Sequence, residues 1–66
     1  MKFVKIETAT GGDEIINVEQ ITSIATEVSN VVINLSDGSS VRTKFTDIDH
    51  AVDFIQRASH AFSLTL

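Results

Sequence analysis

Two histidines, a run of aspartates, a glycine pair and a short basic stretch are the residues of this chain whose types and spacing could do chemistry. His50 stands three residues after Asp47 and three before Asp53, so either carboxylate could orient its imidazole for acid–base work. All three fall in the polar first turns of a predicted helix, where an exposed ion pair is the simpler reading. His60 has no ligand type at i+3 or i+4, and a chain without cysteine cannot complete a zinc set from two histidines. Asp47, Asp49 and Asp53 offer carboxylates, but a calcium loop spaces its oxygens around a glycine turn, and these run into a helix. Gly11-Gly12 lacks the further glycine and the lysine-serine or lysine-threonine end of a phosphate loop. The expectation is a non-enzymatic protein with no catalytic residue, cofactor or metal.

Arg42, Thr43 and Lys44, with the serines around Gly38, are the remaining candidates, as possible ligand or phosphate contacts. Lys2 and Lys5 could join them if the basic strand residues gather on one face. Nine acidic residues against five basic give a formal net charge of −4, the wrong sign for a protein that gains affinity by neutralising many phosphates. Nucleic acid is therefore an unlikely partner.

These residues must be positioned by a single domain, residues 1–66, because a chain this short buries only about 60% of its unfolded surface. Lacking cysteine, it has no disulfide staple, so association with other copies is the remaining route to extra burial. The same lack fits a cytoplasmic setting. No apolar run reaches the length of a membrane span, and the charged N-terminal stretch does not fit a signal segment, so no membrane partner is expected.

Alternation of Val4 and Ile6 with Lys5 and Glu7 predicts a strand over Lys2 to Thr8, turned by Gly11-Gly12 into a second strand at Glu14 to Asn17. Asn17 with Gln20 three residues on is a capping-box pattern and predicts a short bent corner. Two further strands follow around a Ser29-Asn30 turn, and Asp37-Gly38 predicts a type I′ turn into a strand from Ser39 to Phe45. Thr46-Asp47 then opens a helix over 47–62, whose stripe of Ile48, Ala51, Val52, Ile55, Ala58 and Phe62 can cover one sheet face. Arg57 follows Asp53 at i+4 and supports the exposed side. The predicted class is α+β: an antiparallel meander of about five strands with one C-terminal helix packed on one face.

Apolar residues then remain outside the core stripes. Phe54, Ala58 and Ala61 begin a second helical stripe, and the tail from Ala61 to Leu66 alternates like a strand. Phe3, one of Ile15 and Ile16, and Val32 point away from their strands' core faces. Phe54, Ala58, Ala61, Phe62, Leu64 and Leu66 are accordingly the expected protein interface. The open edges of a small sheet add unpaired N–H and C=O groups that invite strand addition.

In layout the chain resembles the FlbD type of small flagellar-operon protein. The matching stretches are Ile16-Asn17 with Ile21 and Ile24, Val31 to Gly38, and the helix around Ala51-Val52-Ile55. The resemblance covers roughly residues 3–57 and implies a non-catalytic accessory protein acting by binding, with no catalytic residue to carry over. It does not extend to the Gly11-Gly12-Asp13 turn or to the apolar segment from Ala58 to Leu66. The residues together predict a homo-oligomeric binding module of bacterial or phage origin that acts as an accessory or regulatory protein. The alternative is a small-ligand receptor or sponge of nucleotide type, such as a phage-encoded inhibitor, with Arg42, Thr43 and Lys44 at a pocket between copies.

Overall fold

Alternating residues in Lys2 to Glu7 leave one apolar and one polar face, and the chain forms the half-buried strand this pattern favours. A computed structural model describes the backbone of residues 2–64 and the side chains of residues 2–58. Strand β1 spans Phe3–Glu7, with Val4 and Ile6 buried and Phe3, Lys5 and Glu7 exposed. It pairs antiparallel with β2, Asp13–Asn17, in a register that sets Val4 against Ile16 and Lys5 against Ile15. The Thr8 N–H donates to Gly12 O, and the Val18 N–H donates to Lys2 O. Since antiparallel pairs alternate, these bonds turn the backbone groups of Phe3, Lys5 and Glu7, and of Asp13, Ile15 and Asn17, away from the ladder.

Asn17 ends β2 and caps a single 3₁₀ turn, Val18–Gln20, its Oδ1 accepting the Glu19 N–H at 3.0 Å. The capping box is not completed. The Gln20 side chain instead accepts the Ser36 hydroxyl, and Gln20 O accepts the Ser36 N–H, tying this corner to the end of β4. Strands β3, Ile21–Glu27, β4, Asn30–Leu35, and β5, Ser40–Arg42, follow as an antiparallel three-stranded sheet. On its inner face Ile24, Ile33 and Val41 stand in one row, and Ile33 and Val41 join Val4, Ile6, Ile16 and Ile55 in the core.

The five strands thus divide into a two-stranded and a three-stranded sheet instead of one meander. The Asn17-led corner turns the chain between β2 and β3, so these two strands do not pair. The sheets meet elsewhere. Thr8 bridges Thr43 antiparallel, flanked by Lys44 N–H to Glu7 O and Ala9 N–H to Arg42 O at 3.0 Å each. Thr43 is fully buried at this joint. Its N–H and its hydroxyl both donate to Val31 O at 2.8 Å, and Oγ1 accepts the Phe45 N–H at 3.2 Å. The Asn30 side-chain amide donates to its carbonyl at 3.1 Å.

Helix α1 runs over Ile48–Leu64, two residues beyond the predicted end, so Ala61 to Leu64 continue the helix and do not form a strand. Ala51 N–H donates to Asp47 O, which places the helix start where the sequence puts it. Ala51 and Ile55 are buried, and Ile48, Val52 and Ala58 are partly so, which is the expected stripe. Asp53 and Arg57 pair at 2.9 Å on the exposed side.

The turns differ from expectation at two places, since the middle loop is Val28-Ser29 and not Ser29-Asn30, which leaves Asn30 to open β4. At Asp37-Gly38 only the glycine has positive φ, at 91°, with Gly38 N–H donating to Leu35 O and Leu35 N–H to Ser39 O. That is a three-residue loop closed by a glycine bulge, not type I′. Asp37 fits it because its carboxylate accepts both the hydroxyl and the N–H of Ser39, bonds that hold its pKa below the usual aspartate value. The first hairpin repeats the pattern, with Gly11 at φ 104°. The middle hairpin does not. Val28, 98% exposed, takes φ 58° at the first position of a two-residue loop, a place suited to glycine and strained for a β-branched residue. Val28→Gly should therefore raise the unfolding free energy by about 1 kcal/mol, since relief of strain outweighs the added chain entropy. Urea denaturation of the two proteins measures the difference.

Candidate functional site

The outward side of the first hairpin runs into a groove beside the helix. Its residues come from both ends of the chain: Lys5, Glu7 and Asp13 from the hairpin, Lys44 and Phe45 from the segment after β5, and Phe54 from α1. The groove is open, with a volume of about 490 Å³. Phe54 lies next to Ile55 on the helix, so when Ile55 enters the core its neighbour is turned about 100° away, toward the rim. It remains 39% exposed, and its ring meets the half-buried Phe45 at a centroid distance of 5.4 Å and a tilt of 48°.

The Thr8–Thr43 bridge sets Lys44 opposite Glu7, and their side chains pair at 3.4 Å while both stay more than half exposed. An ion pair so wet contributes little energy, so the aromatic contact is the main tie across the groove. The lining combines two aromatic rings with charges of both signs. Such a surface suits an amphipathic side chain or a ring flanked by polar groups.

The sequence-predicted residues separate in the structure. Arg42 and Lys44 are exposed, but Thr43 between them is buried with its hydroxyl committed to backbone, so the three do not form one contact surface. Arg42 is drawn toward Glu27, at 3.8 Å between Nη2 and Oε1, and lies opposite the buried Val32. Of the basic strand residues, Lys5 and Lys44 share the groove. Ser39 is bonded to Asp37 and Ser36 to Gln20, away from the groove. His50 pairs with Asp47 through Nδ1 and Oδ2 at 2.8 Å, with the imidazole largely exposed.

Among the predicted interface residues, Phe54 is placed at the surface and Ala58 packs partly against the core. The side chains of Ala61, Phe62 and Leu64, and the whole of Leu66, lie outside the described residues. Sequence reasoning did not single out Phe45, Lys5, Glu7 or Asp13 as a group. The available signal was the outward face of β1, where Phe3, Lys5 and Glu7 alternate with core residues. Phe3 is 39% and Ile15 66% exposed on this same face.

Comparison with protein-family models, curated proteins and solved structures finds no match. No described helix is long and apolar enough to cross a membrane. The groove has to be read from its own residues.

If the aromatic pair is what ties α1 to the sheet joint, the cycle Phe45→Ala/Phe54→Ala should give a coupling of about 0.5–1.5 kcal/mol that survives added salt. The cycle Glu7→Gln/Lys44→Gln should give less than about 1 kcal/mol, fading as salt rises. Urea titrations at low and high salt compare the two.

Proposed function

We propose that this protein is a non-enzymatic, cytoplasmic binding module that works as a homo-oligomer. Its accessory or regulatory action runs through protein contacts of α1 and the C-terminal segment. The observation that carries the reading is Phe54, a large apolar side chain left 39% exposed on the helix, over a groove that one subunit does not fill. A soluble chain of 66 residues without a disulfide gains most from covering such a residue with another copy. Ala58, one helical turn on, and Ala61, Phe62, Leu64 and Leu66 extend the same apolar sequence toward the carboxyl end. The resemblance in layout to FlbD-type proteins points the same way, to binding without catalysis.

A second reading rests on Lys5 and Lys44, two ammonium groups beside the Phe45–Phe54 pair. Rings and ammonium groups lining one groove suit a nucleotide-type ligand, whose base stacks while its phosphate meets lysine. In this version the protein is a receptor or sponge.

The first reading expects light scattering at about 10 μM to give a mass above one subunit. Phe54→Asp and Leu64→Asp should each lower that mass. A monomeric wild type, or an unchanged mass in both variants, removes the helix and tail as an interface. For the second reading, a thermal-shift screen with nucleotides and cyclic dinucleotides should raise the Tm, because a ligand bound by the native form alone stabilises it. A flat screen ends it.

A further inference from the structure

The outer edge of β2 is open along its length. The backbone groups of Asp13, Ile15 and Asn17 face away from β1, and among the described residues no hydrogen bond reaches the main chain of Asp13 or Ile15. Soluble proteins usually protect such an edge with charged side chains, above all lysine, with proline or with a bulge; β2 has no lysine or proline, and its charges, Asp13 and Glu14, sit at one end of the strand. Here the middle residue is Ile15, 66% exposed. The edges of β1 and β5 meet each other around Thr8 and Thr43, and the outer edge of β3 differs in three ways: its register is broken between Ile21 and Ser23, it packs against α1, and its exposed residues are polar.

We propose that β2 pairs antiparallel with β2 of a second copy about a twofold axis at Ile15, joining the two hairpins into one four-stranded sheet. The sequence of the strand favours this register over its neighbours. Centred on Ile15, all five residues of β2 pair: Ile15 meets Ile15 of the second copy, Glu14 meets Ile16, and Asp13 meets Asn17. No acid lies opposite an acid. Centring on Glu14 sets two glutamates face to face, and centring on Ile16 pushes Asp13 against Glu19 beyond the strand, both unfavourable for like charges. The main-chain groups of Ile15 point outward, so the central pair is one that exchanges both N–H···O=C bonds. Each Ile15 covers the other, with Lys5 flanking it on the neighbouring strand. The pairing uses no residue of α1 and does not depend on the helix reading above.

Absence of cysteine from the chain makes the register directly testable. In this arrangement the two Ile15 Cα atoms lie about 5.5 Å apart, within the span of a disulfide. The two Asp13 Cα atoms, four residues out of register, are more than about 12 Å apart. Under mild oxidation Ile15→Cys should form a covalent dimer at least about tenfold faster than Asp13→Cys. It should do so equally in a Phe54→Asp background. In that background Ile15→Lys, which places a charged guard on the edge, should abolish the remaining self-association while the far-UV spectrum stays native. Equal cross-linking at the two positions, or association unaffected by Ile15→Lys, overturns the strand pairing. If only Phe54→Asp disperses the oligomer, the helix interface stands and this one falls. If the wild type is a monomer at about 100 μM, both fall.

Discussion

Thr43 is the point on which the two sheets depend. Its backbone N–H and hydroxyl converge on Val31 O, its oxygen accepts from Phe45, and its main chain lies against Thr8 of the first hairpin. A hydroxyl taken fully out of water has to find partners or it costs about 1–3 kcal/mol, and here every partner is backbone. The hydroxyl therefore pins Thr43 to β4, and the main-chain bridge to Thr8 seats the first hairpin against that fixed point. From this joint the rest follows: Glu7 is set opposite Lys44, Phe45 is carried toward the helix, and Phe54 receives a ring to lean on.

Much of the fold was legible because local pattern and global packing agree. The period of two in Val4 and Ile6, the Asn17 corner, the Asp47 start and the Ile48 to Ala58 stripe each correspond to an observed element. What escaped was non-local. Thr43 looks like any strand threonine between two cations, and only its bridge to Thr8, thirty-five positions away, makes it core. Separation into two sheets has the same origin, since no neighbouring residues encode which strands will fail to pair. The turn at Asp37-Gly38 was misassigned for a local reason: a glycine with positive φ serves a type I′ turn and a bulged three-residue loop equally well. Likewise the tail's alternation carried little weight against continuation of a helix already formed, and Ala61 to Leu64 extend it.

The candidate groove was readable only in part. Phe54 stood out because it falls off the main helical stripe, a matter of spacing alone. Phe45, Lys5, Glu7 and Asp13 join it through strand pairing and the sheet joint, which spacing does not reveal. Arg42, at the end of β5, and Lys44, beyond it, are both exposed, yet each is claimed by a nearby glutamate. Charge on a strand is thus a weaker guide to a ligand than an aromatic residue the core leaves over.

The bridge between Thr8 and Thr43 also sets an order of events during synthesis. All three hairpins can zip as soon as their own residues emerge, since each closes over a short loop. The first hairpin, however, has nowhere to dock until the segment around Arg42 to Lys44 has cleared the ribosome. Until then its apolar side, with Val4, Ile6 and Ile16, faces the solvent. A nascent chain that stops short of Arg42 is therefore an adhesive ribbon whose first hairpin has no shelter.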